Sequence, residues 1–319
     1  YKKRCRTRSN VTQSAMKSVL VFTLFIAATC GSVEWKDFRA GNVKLPTSEV
    51  DAADAGWKSI DQDDTLKLTW YSQENDPRLM LGFDGRQKLA GLRVAFLKTD
   101  VDSAYASDYV KSGLYEEGTF LGHQCLFSTV LVTPENVLKS GGRRSLADDE
   151  IALCANLKRN GKFKSIARDG CEAAQGAVVE QGCQSGYGLV FSKFGSKSSC
   201  DSLAPFYIIY DPQGSGNMVG FGWLSFSKYS AADFKTKTFY KTLSGNAFSA
   251  LFPNAPSCLT SYAQNKGLTA VDVWFSYDSS KKTSCSGSNW VDSHCQKKRS
   301  TRPGQFGAVS DNFVDSEES

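Results

Sequence analysis

The sequence contains very little histidine and none of the common signatures of nucleotide or hydrolase chemistry. Only two histidines, His123 and His294, occur among 319 residues, whereas zinc and copper sites usually draw several ligands from histidine and cysteine. The sequence has no P-loop, no EF-hand loop and no Gly-x-Ser-x-Gly elbow. The glycines at 214 and 216 fall in a predicted hairpin turn with no helix after it, unlike a dinucleotide-binding loop. We therefore expect no cofactor.

The chain also lacks an apolar run of the length needed to cross a bilayer. Its clearest apolar run, within residues 18–28, is about half of the roughly 20 residues that a membrane-spanning helix requires. Lys17 precedes this run and the small residues 29–32 follow it, an order typical of a secretory signal peptide, which we place at 16–32. We predict a secreted, extracellular protein with no membrane association after cleavage. Residues 1–15 are either translated upstream sequence, with Met16 as the initiator, or a basic extension.

A surplus of positive charge is absent once the leader is removed. The whole chain has 38 Lys and Arg against 33 Asp and Glu, a net charge of +5. Residues 1–32 contain six basic residues and no acidic ones, so the remainder has 32 basic and 33 acidic residues, a net of −1. This balance gives no support for a nucleic-acid partner or for binding to an anionic membrane.

Cysteine, in contrast, is well represented. Cleavage near Gly31 would remove Cys5 and Cys30 from the ten cysteines and leave an even set of eight. An even set in an exported chain predicts a disulfide framework. The pairing cannot be deduced from spacing, although Cys285 and Cys295 would close a small local loop. The eight are Cys125, Cys154, Cys171, Cys183, Cys200, Cys258, Cys285 and Cys295.

Alternating apolar residues predict a chain dominated by β-strands. Period-two patterns and β-branched or aromatic runs indicate strands over 66–71, 79–83, 92–97, 125–133 and 268–277, and a hairpin joins 206–210 to 218–226. The glycines at 220 and 222 suggest a bulge or a close approach by another backbone. We predict an α+β, β-dominated fold: an antiparallel sandwich or barrel with helical insertions, reinforced by disulfides.

Three helices are predicted between these strands. A capping box at Ser145–Asp148 begins one that ends at Asn160-Gly161, and Ser230–Asp233 begins another that extends toward Phe252. A short third helix over 258–263 ends at Gly267. We place one globular domain at 33–284, with a loop-rich, cysteine-dense insertion at about 140–200 where a domain boundary is possible.

The segment 285–319 is predicted to be a polar C-terminal tail. It has few apolar residues, and the basic run 296–299 is either a processing site of the secretory route or an ordinary solvated stretch.

Two residues are weak candidates for acid–base catalysis. His123 lies two residues before Cys125, but a bridged cysteine is no nucleophile, so His123 would act on another group. Asp272 is a charged residue within an apolar strand; if buried in a pocket, it would have a raised pKa, and if exposed, it would carry no function.

Aromatic residues in the predicted strands give the candidate ligand site. Trp70, Phe221, Trp223 and Trp274 either build the core of a sheet or line a pocket for a small apolar molecule. Asp61, Asp63 and Asp64 are weak candidates for calcium at extracellular concentrations, although acidic loop residues usually only face water.

Three functions fit these observations. The first is a secreted, disulfide-stabilised protein that binds a small apolar ligand in an aromatic-lined pocket. The second is a secreted enzyme on a small apolar substrate, an oxygenase of the luciferase type or a hydrolase, that needs no metal or nucleotide. The third is an extracellular structural or matrix component. A cavity with a pair of polar groups would favour the enzyme, and a filled core would favour the matrix component.

Overall fold

The computed structural model describes the strand-rich part of the chain. The described residues are 32–34, 38–73, 76–101, 108–142, 150–152, 155–176, 178–200, 205–213, 216–226, 239–275, 290–291 and 295. Several predicted features lie outside them: the 1–15 segment, the predicted leader as far as residue 31, Ser145–Asp148, Ser230–Asp233, His294, Cys154, Cys285 and the run 296–299. Within them, no helix has the length and apolar character needed to span a bilayer.

The first sheet contains eight antiparallel strands. They lie in the order β12-β11-β9-β7-β6-β5-β4, and β8 also pairs with β9. The strands are β4 (Trp57–Asp63), β5 (Leu68–Gln73), β6 (Asp76–Phe83), β7 (Leu89–Leu97), β8 (Glu116–Phe120), β9 (His123–Leu131), β11 (Asn156–Arg159) and β12 (Lys162–Ser165).

The second sheet also contains eight antiparallel strands. Their order is β13-β14-β15-β16-β18-β2-β3, and β17 pairs with β18. The strands are β2 (Arg39–Ala40), β3 (Val43–Lys44), β13 (Val179–Gln184), β14 (Gly188–Ser192), β15 (Phe206–Tyr210), β16 (Met218–Ser225), β17 (Tyr240–Leu243) and β18 (Leu268–Trp274).

Short elements surround the two sheets. A separate two-stranded ladder joins β1 (Ser32–Glu34) to β10 (Glu150–Ala152). The helices are α1 (Glu49–Asp54), α2 (Glu135–Lys139), α3 (Gly170–Ala173), α4 (Gly245–Leu251) and α5 (Ser257–Lys266). Ser48, Asp169 and Ser244 cap α1, α3 and α4 by accepting hydrogen bonds from backbone N–H groups in the first turn.

The two sheets share one hydrophobic core. Leu81, Val94 and Val130 of the first sheet belong to the same buried cluster as Phe221 and Val273 of the second. A polar contact joins the sheets as well, because the Tyr240 hydroxyl lies 2.8 Å from the carbonyl oxygen of Arg78 and also contacts that of Ala95. This arrangement confirms the predicted β-dominated antiparallel class, and among the described residues neither sheet closes into a barrel.

The first sheet is strongly curled. The guanidinium of Arg93 on β7 bonds carboxylates of β4, three strands away, and lies 5.7 Å from the ring of Phe120 on β8, beyond β9 on the other side. In a flat sheet, β4 would be about 14 Å from β7, farther than an arginine side chain reaches. The sheet therefore folds around a second buried cluster on its concave face, which carries Trp70, Met80, Arg93, Phe127 and Leu131.

Two glycines allow the ring of Trp70 to lie across this concave face. A Cβ atom on Gly82 or on Gly91 would come within 2.9 Å of the Trp70 ring. Both glycines lie in line with Trp70 across β5, β6 and β7. A single large side chain thereby covers the backbone of two neighbouring strands.

The predicted strands are confirmed, but one predicted helix is wrong and a second is wrong in part. Within the helix expected to extend from Ser230–Asp233 toward Phe252, residues 240–243 form β17 and only Gly245–Leu251 is helical among the described residues. Residues 150–152 and 156–159, expected to be helical, are the strands β10 and β11. Asn160 and Gly161 both have positive φ, 50° and 72°, and they form the turn of the β11–β12 hairpin rather than the end of a helix. The helix closed by Gly267 is confirmed as α5.

Within the described residues, five of the eight cysteines are disulfide-bonded and one is a free thiol. Disulfides join Cys171 to Cys295 and Cys200 to Cys258, and Cys183 is also disulfide-bonded. The expected local pair of Cys285 and Cys295 is wrong, because Cys295 bridges α3 instead. Cys125 is a free thiol, contrary to expectation, since its β9 position is fully buried in the concave-face cluster.

Two regions outside the predicted strands contribute to the sheets and the core. The segment 140–200, predicted to be a loop-rich insertion, supplies β11 and β12 to the first sheet and β13 and β14 to the second. Trp290, assigned to the tail, is buried, and its indole N–H donates to the Pro212 carbonyl at 2.7 Å. Cys295 is buried as well, so both residues belong to the core.

Candidate functional site

The four aromatic residues predicted to share a pocket lie on three surfaces. Trp70 lies on the concave face of the first sheet. Phe221 and Trp223, whose rings are 5.1 Å apart, lie on the face of β16 that is directed at the first sheet. Trp274 lies on the opposite face of the second sheet, beside Tyr187. The structure therefore does not bring the four together, because a strand alternates its side chains between two faces and the sequence does not say which faces meet.

The concave face of the first sheet holds a buried cation. The Arg93 side chain is 9 % exposed, its two terminal nitrogens lie 3.1 Å and 3.2 Å from carboxylate oxygens of Asp61 and Asp63, and its guanidinium carbon is 4.0 Å from the centre of the Trp70 ring. Burial lowers the pKa of Arg93, and the two carboxylates act in the opposite direction. The ion pairs therefore keep a charge inside an aromatic environment.

Aromatic and aliphatic side chains surround this cation and reach the rim of the curled sheet. The rings of Phe127 and Phe120 are 5.3 Å and 5.7 Å from the Arg93 guanidinium. Three apolar residues that pack on the concave-face cluster are only partly buried: Ile60 on β4, Phe120 on β8 and Phe163 on β12. They come from the two edges and the side of the sheet, so the apolar interior meets solvent along its rim.

Several buried polar atoms on this face have no hydrogen-bond partner among the described residues. They are the Trp70 indole nitrogen, the Arg93 Nε atom and the hydroxyls of Ser72 and Thr129. Thr129 lies directly opposite Arg93, and Ser72 lies opposite Met80, the other neighbour of Arg93. The four groups thus lie on adjacent positions of one surface, and each unsatisfied group costs about 1–3 kcal/mol.

A second set of unpartnered polar atoms lies between the two sheets. It comprises the Ser128 hydroxyl, the Trp223 indole nitrogen and the Ser225 hydroxyl, which have no hydrogen-bond partner in the described part of the chain. These residues belong to strands whose neighbouring side chains fill the shared core. This set contains no charged group.

Asp272 is buried, which is the alternative under which it could have a function, but three donor groups already contact its carboxylate. It is 5 % exposed, accepts hydrogen bonds from the hydroxyls of Tyr187, at 3.0 Å, and Tyr207, and pairs with the Lys241 ammonium. Lys241 also lies 4.2 Å from the centre of the Tyr187 ring. A carboxylate with three donors joins four segments of the second sheet, an arrangement that favours a structural role for Asp272.

Gly222 makes room for this cluster. It lies opposite both Tyr207 and Asp272, and a Cβ atom there would clash with the ring and the hydroxyl oxygen of Tyr207. Burial raises the pKa of Tyr207 well above its usual value of 10.0, and the Asp272 charge raises it further. The phenol therefore stays protonated and donates.

The other sequence candidates lie apart from one another. His123 is exposed at the start of β9 in the first sheet, so the structure does not place it beside Asp272 in the second. Asp61 and Asp63, weak calcium candidates, instead bind Arg93, and Asp64 is exposed. The described residues contain no group of three or more His, Cys, Asp or Glu side chains arranged to hold a metal ion.

Arg93, Phe120, Phe127, Ser72 and Thr129 are not among the sequence candidates. A signal for Arg93 is present, because it is a charged residue inside the apolar run 92–97, the same pattern that marks Asp272. No local signal identifies the other four, since their proximity depends on the curl of the sheet.

Comparisons with protein-family models, curated proteins and solved structures found no match to this chain.

Proposed function

We propose that this protein binds a small, largely apolar molecule on the concave face of the first sheet, around Trp70, Arg93, Phe120 and Phe127. The observation that carries the proposal is the group of four buried, unpartnered polar atoms within an otherwise apolar and aromatic surface. Native proteins leave few such atoms unsatisfied. A bound molecule that supplies hydrogen-bonding atoms accounts for all four at one site.

Partly exposed residues at the rim of the curled sheet indicate that a ligand could reach this surface from solvent. Ile60, Phe120 and Phe163 are partly exposed apolar residues around it, and the Asp61 side chain, which anchors Arg93, is 41 % exposed. Apolar walls with a few placed polar groups are typical of small-molecule sites. The set between the sheets has weaker support, since it contains no charged group and belongs to the buried cluster that the two sheets share.

We propose further that the protein acts outside the cell. The disulfides Cys171–Cys295 and Cys200–Cys258 support this part of the proposal, because such bonds persist mainly in oxidising compartments. The predicted signal peptide at 16–32 agrees with it.

Fluorescence titration with N-phenyl-1-naphthylamine, a neutral apolar probe, tests the proposal. We expect saturable binding near one equivalent by the whole chain, with emission shifted to the blue. Phe120→Ala, at the partly exposed rim, should weaken binding by about tenfold, because one wall of an apolar site contributes about 1–3 kcal/mol.

Trp223→Phe is the matched control for site location. It removes an unpartnered indole N–H from the core between the sheets and should leave the probe affinity unchanged. A loss of affinity in Trp223→Phe but not in Phe120→Ala would place the ligand between the sheets and contradict the proposal. If no probe binds, the extracellular structural role becomes the better explanation.

A further inference from the structure

The unpartnered atoms on the concave face have a definite hydrogen-bonding character. Arg93 Nε and Trp70 Nε1 are donors only, whereas the hydroxyls of Ser72 and Thr129 both donate and accept. Two donors that cannot accept require acceptor atoms on whatever lies against them. A pure hydrocarbon would leave both of them unsatisfied.

The negative charges around Arg93 already exceed its single positive charge. Its two terminal nitrogens bind Asp61 and Asp63, so one positive and two negative charges lie together, with a net charge of −1. A ligand carboxylate placed at Arg93 Nε would add a third negative charge to this group, and it would lose its own hydration on entering an apolar site. An uncharged acceptor meets neither penalty.

We propose that the ligand is an uncharged aromatic or apolar molecule with a carbonyl or similar acceptor oxygen, held by Arg93 Nε and Trp70 Nε1, and that the site rejects carboxylates. This inference rests on the proposed function, since it names the ligand class of the same surface. The two donors belong to one stacked pair of side chains, since the Arg93 guanidinium carbon is 4.0 Å from the Trp70 ring centre. Asp61 and Asp63 then hold Arg93 with its Nε edge left for the ligand.

Three competitors with the same naphthalene skeleton separate the contribution of an acceptor oxygen to affinity from the contribution of the apolar surface. The competitors 2-acetylnaphthalene, 2-ethylnaphthalene and 2-naphthoate have similar size and differ in carrying a neutral acceptor, no acceptor or a negative charge. Each is titrated against the bound N-phenyl-1-naphthylamine with the full chain. We expect the ketone to compete about tenfold better than the ethyl compound, as a hydrogen bond to a charged donor predicts, and the carboxylate to compete least.

Two conservative variants connect this preference to the donors. Trp70→Phe retains an aromatic ring without the N–H, and Arg93→Lys retains the charge without the planar donor edge. Both should reduce several-fold the ratio of the ketone's affinity to that of the ethyl compound, measured within each variant so that a general change in the apolar surface cancels. Asp64→Asn, an exposed change on the β4–β5 connection, serves as the matched surface control and should change neither affinity.

The outcomes distinguish this inference from the proposed function. Equal competition by the ketone and the ethyl compound, or strongest competition by 2-naphthoate, overturns the inference while binding on the concave face stands. If neither the probe nor any competitor binds when measured by calorimetry, both the proposed function and the inference fail.

Discussion

Arg93 and Asp272 are charged residues in the interiors of apolar strands, and their surroundings differ. Asp272 accepts from Tyr187 and Tyr207 and pairs with Lys241, whereas Arg93 keeps its Nε atom unpartnered among the described residues. A satisfied charge mainly stabilises the fold, and an incompletely satisfied one is a candidate for binding. The two residues therefore have different expected mutational effects.

Replacing Asp272 by asparagine should lower the stability of the protein. Asp272→Asn removes the ion pair with Lys241 and weakens two hydrogen bonds in a buried position, at a cost of about 2–4 kcal/mol. Urea unfolding followed by circular dichroism measures the change. The exposed Asp64→Asn is the control, expected within about 0.5 kcal/mol of the parent; equal effects for both variants would show that the Asp272 cluster contributes nothing.

Cys125 should be unreactive in the folded protein. Burial raises the pKa of its thiol from 9.0 to about 12, and the Asp76 charge adds to this effect, so the thiolate is scarce even at pH 9. Alkylation by iodoacetamide should therefore give the same count for the native parent and for Cys125→Ala, and one more modified cysteine in the parent after unfolding in guanidinium. A difference of one already in the native proteins would refute a buried, protonated thiol.

At the scale of the element, β6 and β7 lie against the ring of Trp70 because Gly82 and Gly91 have no side chains. Gly82→Ala would introduce a Cβ atom 2.9 Å from that ring. Overpacking of this kind costs about 1–3 kcal/mol, measured as a lower unfolding midpoint in urea. Gly85→Ala, where the nearest atom is 3.9 Å away, is the control and should differ from the parent by much less.

Several of the long, buried strands of both sheets could be predicted from sequence, whereas most of the short strands and the grouping of side chains could not. The alternation in 92–97 identifies β7, and the apolar runs of 206–226 identify the β15–β16 hairpin. The β11–β12 hairpin escapes prediction because the capping pattern at Ser145–Asp148 competes with the turn signal of Asn160-Gly161. Arg93 and Asp61 meet only because the sheet curls, and curl depends on contacts between strands that no local pattern records.

At the scale of the whole molecule, two disulfides join segments that are far apart in the chain. Cys171 and Cys295 are 124 residues apart, and Cys200 and Cys258 are 58 apart. Replacing both cysteines of the longer pair by alanine should cost about 2–5 kcal/mol. The matched double variant of the shorter pair should lose about 0.7 kcal/mol less by the loop-entropy relation. Urea unfolding of both variants tests the order, and a larger loss for the shorter pair would contradict the entropic account.

Because several tyrosines are buried, we expect the protein to unfold cooperatively at high pH. Burial is the main cause that raises the pKa values of Tyr115, Tyr207, Tyr210 and Tyr240 well above 10.0. Unfolded tyrosines release their protons near pH 10 while these keep theirs, so the free energy of unfolding falls as the pH rises above about 10.

Absorbance at 295 nm and circular dichroism, recorded together against pH, test this expectation. The buried phenols should ionise in one step with the loss of β-structure. Titration of all twelve tyrosines near pH 10 with an unchanged circular dichroism spectrum would contradict it.

The position of β2 beside β18 has a consequence for the way the chain folds as it is made. All strands of the first sheet lie between Trp57 and Ser165, so this sheet has its pairing partners before the second half of the chain has left the ribosome. The second sheet pairs Ala40 with Val273, and so it cannot be completed until synthesis has passed β18. During that interval the face of the first sheet that packs on the second sheet remains exposed to solvent. A nascent chain with such an exposed apolar face is the kind of species that chaperones bind.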